Sequence, residues 1–272
     1  MKPRRPSPFA PQLRVHRRFH SPSLRNSRDV VVWLPPGYEA SGPTARRRYP
    51  VVYFQDGQNI FDPATAFLGR DWGAGETALR LIRSRAIVAP ILVGVANTGE
   101  HRIDEYSPTR GEFNDLDGIA RRSAGDGKRY ARFFVRELKP FIDARYRTLP
   151  GPRTTGLIGS SMGGLISLYF ALWHPRVFGR VAAMSPSIWW DNRVLLRDLA
   201  ALTRKPDVAL WIDAGTAEPG WETVQLLRDV LVGRGWNQGG DLHYDEVAGA
   251  GHNEAAWAAR LGGVLTWMLG RD

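Results

Sequence analysis

Apolar residues fall into short runs separated by turns rich in Gly and Pro, and the runs alternate between two periodicities. Residues 13–19 form a candidate strand. Residues 29–34, Asp-Val-Val-Val-Trp-Leu, are β-branched and stop at Pro35-Pro36-Gly37, the pattern of a strand closed by a turn. A polar loop follows over 41–48. A further strand at 51–54 ends at Gln55-Asp56-Gly57. The pattern then predicts a helix near 75–84, and the apolar run 86–95 suits a buried parallel strand. Residues 97–126 lack periodicity and are rich in Gly, Asp and Arg, and so long a loop is usually functional or mobile. Over 129–146, Phe133, Phe134, Leu138, Phe141 and Ile142 recur at helical spacing.

The remaining chain repeats the alternation. It reads as a strand at 155–158, a helix from 165 to 173, strands at 181–184 and 208–212, a helix at 222–231, a strand at 242–247 and a helix at 254–269. No internal repeat or linker interrupts it. Strands alternating with helices after an antiparallel-looking start predict an α/β domain, with a mostly parallel sheet and helices on both faces. Its expected extent is 21–272, preceded by a basic, Pro-rich segment over 1–20 that is at most partly ordered.

Composition changes this picture little. At 272 residues, 43% hydrophobic and 24% charged, the chain is ordinary for a globular protein. No apolar run is long enough to span a bilayer, so no membrane partner is expected. The first 20 residues have neither the apolar core nor the cleavage site of a secretory signal, which makes a cytoplasmic location the expectation. The absence of Cys excludes disulfides, thiolate metal sites and a cysteine nucleophile. A net charge of +10 raises nucleic-acid binding as a class. However, of 37 basic residues only Lys2, Lys128, Lys139 and Lys205 are Lys, and clusters such as Arg46-Arg47-Arg48 are short. No nucleic-acid module accompanies them, so the excess reads as an arginine bias.

The chemistry concentrates at Gly159-Ser160-Ser161-Met162-Gly163-Gly164, directly after Thr155-Gly156-Leu157-Ile158. This is G-x-S-x-G between a strand and a helix, the form of a nucleophile elbow. Such a turn brings backbone segments together, and glycine two residues either side of the serine removes the clash. The helix N-terminus behind Ser161 points free N–H groups at developing negative charge. A serine hydroxyl needs a base, and in this order of elements an acid and then a histidine follow. His174 sits at a helix end and His243 within a strand. His252, in the small-residue loop Ala248-Gly249-Ala250-Gly251-His252-Asn253, has the fitting position. Two acids follow the 208–212 strand: Glu218, further out on the loop and preferred, and Asp213 at the strand end as the alternative. An oxyanion hole needs two backbone donors. Met162 N–H supplies one, and the sharp turn Gln55-Asp56-Gly57-Gln58-Asn59 is the source of the other.

Taken together, these segments resemble the esterase D-like family of α/β-hydrolases, which includes enterobactin-type siderophore esterases, feruloyl esterases, S-formylglutathione hydrolases and mycolyltransferases. The resemblance runs from Ser21 to Leu269. It is carried by Val32-Trp33-Leu34-Pro35-Pro36-Gly37-Tyr38, the run from Tyr49 to Asn59, the elbow, Ser185-Pro186-Ser187-Ile188-Trp189-Trp190, Gly215-Thr216-Ala217-Glu218 and Gly251-His252-Asn253-Glu254. It implies a carboxylic-ester hydrolase acting on a small-molecule ester through an acyl-enzyme, without metal or organic cofactor. Ser161 is then the nucleophile, His252 the base and Glu218 the acid, with Gln58 N–H pairing with Met162 N–H in the oxyanion hole. Trp72, Trp189 and Trp190 fall in predicted loops near the ligand-binding edge of such a sheet, where an aryl or sugar ester would suit them. Arg102, Arg110, Arg121 and Arg122 lie in the irregular segment, where a cationic flap would favour an anionic substrate such as a catecholate siderophore. An acyltransferase of the same chemistry is the alternative, and a non-catalytic binding module or a basic nucleic-acid binder the alternative from other classes.

Overall fold

The computed structural model describes residues 12–40, 46–114 and 118–270. The elements in chain order are β1 (Gln12–Ser21), β2 (Asn26–Leu34), β3 (Val51–Phe54), α1 (Ala74–Arg83), β4 (Ile91–Val95), α2 (Arg102–Tyr106), β5 (Gly111–Asn114), β6 (Ala120–Ser123), α3 (Gly127–Phe133), α4 (Lys139–Arg145), β7 (Thr155–Ser160), α5 (Met162–Trp173), β8 (Arg180–Met184), α6 (Trp190–Ala200), β9 (Ala209–Gly215), α7 (Glu222–Gly233), β10 (Leu242–Val247) and α8 (Glu254–Leu269). Of the basic segment assigned to 1–20, residues 1–11 lie outside the described residues and the rest belong to β1. The polar loop at 41–48 is described only from Arg46.

Eight strands form one sheet in the order β1-β2-β4-β3-β7-β8-β9-β10. β1 and β2 pair antiparallel, β2 runs antiparallel to β4, and all later neighbours are parallel. The apolar runs explain this, because parallel strands buried on both faces need apolar residues at successive positions. In β3, Val51 and Tyr53 enter one core while Val52 and Phe54 enter the other. Helices α1 and α8 cover the second face, and the larger core on the first is built with α3, α5, α6 and α7. No described helix is long and apolar enough to cross a membrane.

Three elements differ from the pattern read along the chain. The apolar run 86–95 yields a strand only over Ile91–Val95, because Pro90 has no N–H to give a ladder. Ile87 instead forms an isolated bridge with Gly270. The helix expected over 129–146 is continuous in direction but contains a π-helical stretch, Phe134–Leu138, directly ahead of Lys139-Pro140. Pro140 cannot donate to the preceding turn, and the wider turn accommodates it. Helix α6 has no counterpart in the pattern along the chain: its first turn carries Asp191, Asn192 and Arg193 at φ 44, 51 and 61, and only the part beyond has helical dihedrals. The irregular segment 97–126 also holds more order than expected: α2 and the β5–β6 hairpin, each too short to show periodicity.

This topology gathers the chemistry at one edge. The turns after β3, β7, β9 and β10 all leave the C-terminal ends of parallel strands, where α/β sheets bind ligands.

Candidate active site

Ser161 joins β7 to α5 with φ 56 and ψ −125, a conformation that costs a non-glycine residue about 1–3 kcal/mol and persists only when its surroundings enforce it. Here Ser161 N–H donates to Met184 O at 3.0 Å, and its carbonyl accepts from Leu165 N–H and Ser187 N–H at 3.0 and 3.1 Å. The motif glycines make the turn possible. A Cβ on Gly159 would lie 2.2 Å from Gly163 O, and one on Gly163 would lie 3.1 Å from Gln55 Cβ. Gly159→Ala is therefore expected to destabilise the fold by about 1–3 kcal/mol, read as a Tm lowered by several degrees in a thermal melt.

His252 lies in the loop between β10 and α8, and its Nδ1 is 2.8 Å from Glu218 Oε2. A carboxylate only accepts, so Nδ1 carries the proton and Nε2 of the neutral ring is the bare nitrogen. The ring stands edge-on to Trp257, with centroids 5.0 Å apart. Glu218 is 6% exposed, and its other oxygen accepts from Gly215 N–H at 2.8 Å and from Ser185 Oγ–H at 2.6 Å. Burial alone would push this carboxyl up. The bonds from His252, Ser185 and Gly215 outweigh it and hold it below its ordinary value.

Ser185, buried at φ 45, is the junction of this network. Its hydroxyl donates to Glu218 and accepts from Trp257 Nε1 and Arg260 Nη2, both at 3.1 Å. Arg260 is itself nearly buried and pairs with Asp213 at 2.8 Å. Asp213 is fully buried and also accepts from Trp211 Nε1 at 2.8 Å; burial, against Arg260, pushes its carboxyl up to about 6. The two candidate acids share Ser185 and Arg260, which lies 2.8 Å from Asp213 and 3.7 Å from Glu218, but Glu218 is the one that contacts the imidazole. In the sequence Ser185 stands only within the segment Ser185-Pro186-Ser187-Ile188-Trp189-Trp190 that carries the resemblance, and no local pattern marks Arg260.

The turn after β3 is fixed from below. Asp56, at φ 52, accepts two bonds from Arg102 at 2.7 and 2.8 Å and one from Asn97 Nδ2 at 2.6 Å, while its N–H donates to Tyr106 Oη. Burial would raise this carboxyl, but Arg102 and the hydrogen bonds hold it down. The first closed bond of the following turn is Asn59 N–H to Asp56 O at 2.9 Å, so the N–H groups of Gly57 and Gln58 precede it. Met162 N–H likewise belongs to the open first turn of α5.

Ser161, His252, Gln58 and Arg102 line one cleft of about 1210 Å³. The three tryptophans assigned to its wall do not. Trp72 is buried against Trp257, Trp190 is buried with its Nε1 3.2 Å from Thr109 Oγ1, and Trp189 is half-exposed beside Trp190. Trp72 and Trp190 instead enter the two cores, Trp189 faces solvent outside the cleft, and Gly111 leaves the room in which β5 sits on Trp190. The aromatics that do line the cleft are Phe67, Phe113 and Trp257. Ser187, buried, places its Oγ 3.3 Å from Ser161 Oγ.

An eight-stranded, mostly parallel sheet with a strained serine after β7, an acid after β9 and a histidine after β10 defines an α/β-hydrolase. Comparison with known proteins gives the family: residues 21–268 match the family described as "Putative esterase", and the chain belongs to it. It is a carboxylic-ester hydrolase. It is 26% identical over 260 residues to the Bacillus subtilis (strain 168) protein named "Uncharacterized protein YbbA", covering 90% of this chain and 94% of that one. It is 30% identical over 176 residues to the "Siderophore enterobactin esterase" of Emericella nidulans, covering 62% of this chain but only 55% of that relative's length. Among solved structures, a ferulic acid esterase superposes with a TM-score of 0.72 at 19% identity, over 96% of this chain and 98% of that one. The enterobactin esterase FES from Shigella flexneri superposes with a TM-score of 0.73 at 21% identity, over 94% of this chain and 58% of that one.

Proposed function

We propose that this chain hydrolyses small, largely apolar esters by a Ser161–His252–Glu218 mechanism. The observation that carries the reading is the 2.8 Å His252–Glu218 contact, opening onto the cleft that the strained Ser161 also lines. Glu218 fixes the imidazole with Nδ1 protonated, which leaves Nε2 to take the Ser161 proton as Oγ attacks the ester carbonyl. The oxyanion that forms is met by the backbone N–H groups of Met162 and Gln58. Collapse expels the alcohol, which takes its proton from the imidazolium and leaves an acyl group on Oγ. Water, deprotonated by His252, then releases the acid and restores the serine. None of these steps calls on a cofactor.

Substrate shape follows from the wall. Phe67, Phe113 and Trp257 offer apolar faces, which suit an aryl or extended acyl group. The relatives named as enterobactin and ferulic acid esterases fit this reading, since both names describe aryl-bearing esters. The test is a panel of aryl, sugar and siderophore-type esters assayed with a competing alcohol present. Release of free acid at a rate insensitive to the alcohol is expected; dominant transfer to the alcohol would make the chain an acyltransferase.

Ser185 acts on this chemistry as a positioning residue, since it touches Glu218 and not the imidazole. Ser185→Ala removes one hydrogen bond to a buried carboxylate and leaves two buried donors without their acceptor. We expect kcat to fall by about tenfold with KM little changed, read from steady-state kinetics.

A further inference from the structure

The protein is strongly basic overall, yet its cleft is not. Four arginines line it, Arg70, Arg102, Arg121 and Arg122, and so do four carboxyls, Asp56, Glu100, Asp104 and Glu254. Two of the arginines are matched locally: Arg102 is held bidentate by Asp56, and Arg122 lies 3.0 Å from Glu112. Arg110, assigned to the same cationic flap, lines not this cleft but an adjoining, smaller hollow with Asp104, Glu112 and Arg122. Charges of the two signs are thus equal in number along the cleft, and with Asp56 held by Arg102 the remaining carboxyls are Glu100, Asp104 and Glu254. The flap expected to attract anions therefore does not give the cleft a positive field.

Of those carboxyls, Glu254 is closest in sequence to the proposed chemistry, two residues beyond His252 at the first position of α8. It is half-buried, and its Oε1 accepts from Asn59 Nδ2 at 3.0 Å. Asn59 is buried and also accepts from Phe67 N–H at 2.9 Å, so this bond fixes where the carboxyl sits relative to the turn bearing Gln58. The charged groups that act on Glu254 are Asp56 on the β3 turn, Arg102 on α2 and His252 on its own loop. Burial and the like charge of Asp56 push its carboxyl up to about 7, against Arg102 and His252.

Resting on the esterase reading above, we propose that Glu254 is a specificity-determining residue, a carboxylate held in place in the cleft that makes the enzyme select neutral esters over carboxylate-bearing ones. A unit charge several ångströms from the bound ester, at the effective dielectric of a partly buried site, discriminates against an anion by about tenfold or more. The sign sets the pH dependence. Glu254 gains its charge as pH rises through about 7, so rejection of anions strengthens from pH 6 to pH 8.

The probes are 4-acetoxybenzamide and 4-acetoxybenzoate, of like size and opposite in whether the para group is charged; their difference in leaving-group reactivity is the same for both enzymes and drops out when wild type and variant are compared. The readout is the ratio of their kcat/KM values in the wild type and in Glu254→Gln, at pH 6 and pH 8. Any loss of activity common to both esters cancels in the ratio. We expect the wild type to favour the neutral ester by about tenfold at pH 8 and by less at pH 6. In Glu254→Gln the preference should shrink by about the same factor and lose its pH dependence. A ratio that Glu254→Gln leaves unchanged, or a wild type that favours the benzoate, would overturn this proposal while leaving the esterase reading intact. Hydrolysis of neither ester, nor of any other in a wider panel, would overturn both.

Discussion

Ser161→Ala is expected to lower kcat for any ester the protein hydrolyses by about 10⁵-fold or more, with KM within a few-fold of the wild type. The size follows from what is removed. Without Oγ there is no acyl-enzyme, and what survives is substrate binding and the N–H groups of Gln58 and Met162, worth roughly 10³–10⁴ over water in comparable sites. Folding should not suffer. Backbone bonds to Met184, Leu165 and Ser187 hold the elbow, while the hydroxyl contributes one contact of 3.3 Å to Ser187 Oγ. Steady-state kinetics with a chromogenic aryl ester, beside a thermal melt, checks both halves.

The second large effect separates the two buried acids. Glu218→Gln keeps the shape of the side chain but removes the charge that opposes the imidazolium and the acceptor that fixes its tautomer. We expect kcat to fall by about 10²–10⁴ with stability changed little. Asp213→Asn should do the reverse. It leaves Arg260, nearly buried, with its 2.8 Å partner neutralised, and breaking a buried pair costs about 3–5 kcal/mol. Its chief signature is a lowered Tm, with kcat reduced only as far as Arg260 and Ser185 shift beneath Glu218. A collapse of kcat in Asp213→Asn, with Glu218→Gln near wild type, would exchange their roles.

These contrasts mark what a linear sequence carries. The elbow was legible because glycine spacing is a steric requirement of the turn, and the requirement falls within five residues, from Gly159 to Gly163. His252 and Glu218 were legible because each follows a strand that its own apolar run reveals. The fate of Arg102 was not. Its partner Asp56 lies 46 positions away, and only the packing of α2 against the β3 turn makes the pair. The tryptophans failed for a related reason: a large ring near the end of an element reads alike whether it faces the cleft or the core, and Trp72 and Trp190 face the core. Glu254 stands in the sequence only as the last residue of Gly251-His252-Asn253-Glu254. Its contact with Asn59 spans 195 positions, and no local pattern marks it.

The most direct measurement is mass spectrometry of the protein quenched in acid during turnover of a slowly deacylated aryl ester. One added acyl group per chain is expected, carried on the peptide that contains Ser161, absent from Ser161→Ala and formed at least about a hundredfold more slowly in His252→Ala. Ester hydrolysis with no acylated species, or an acyl group on any other residue, would contradict the Ser161 mechanism.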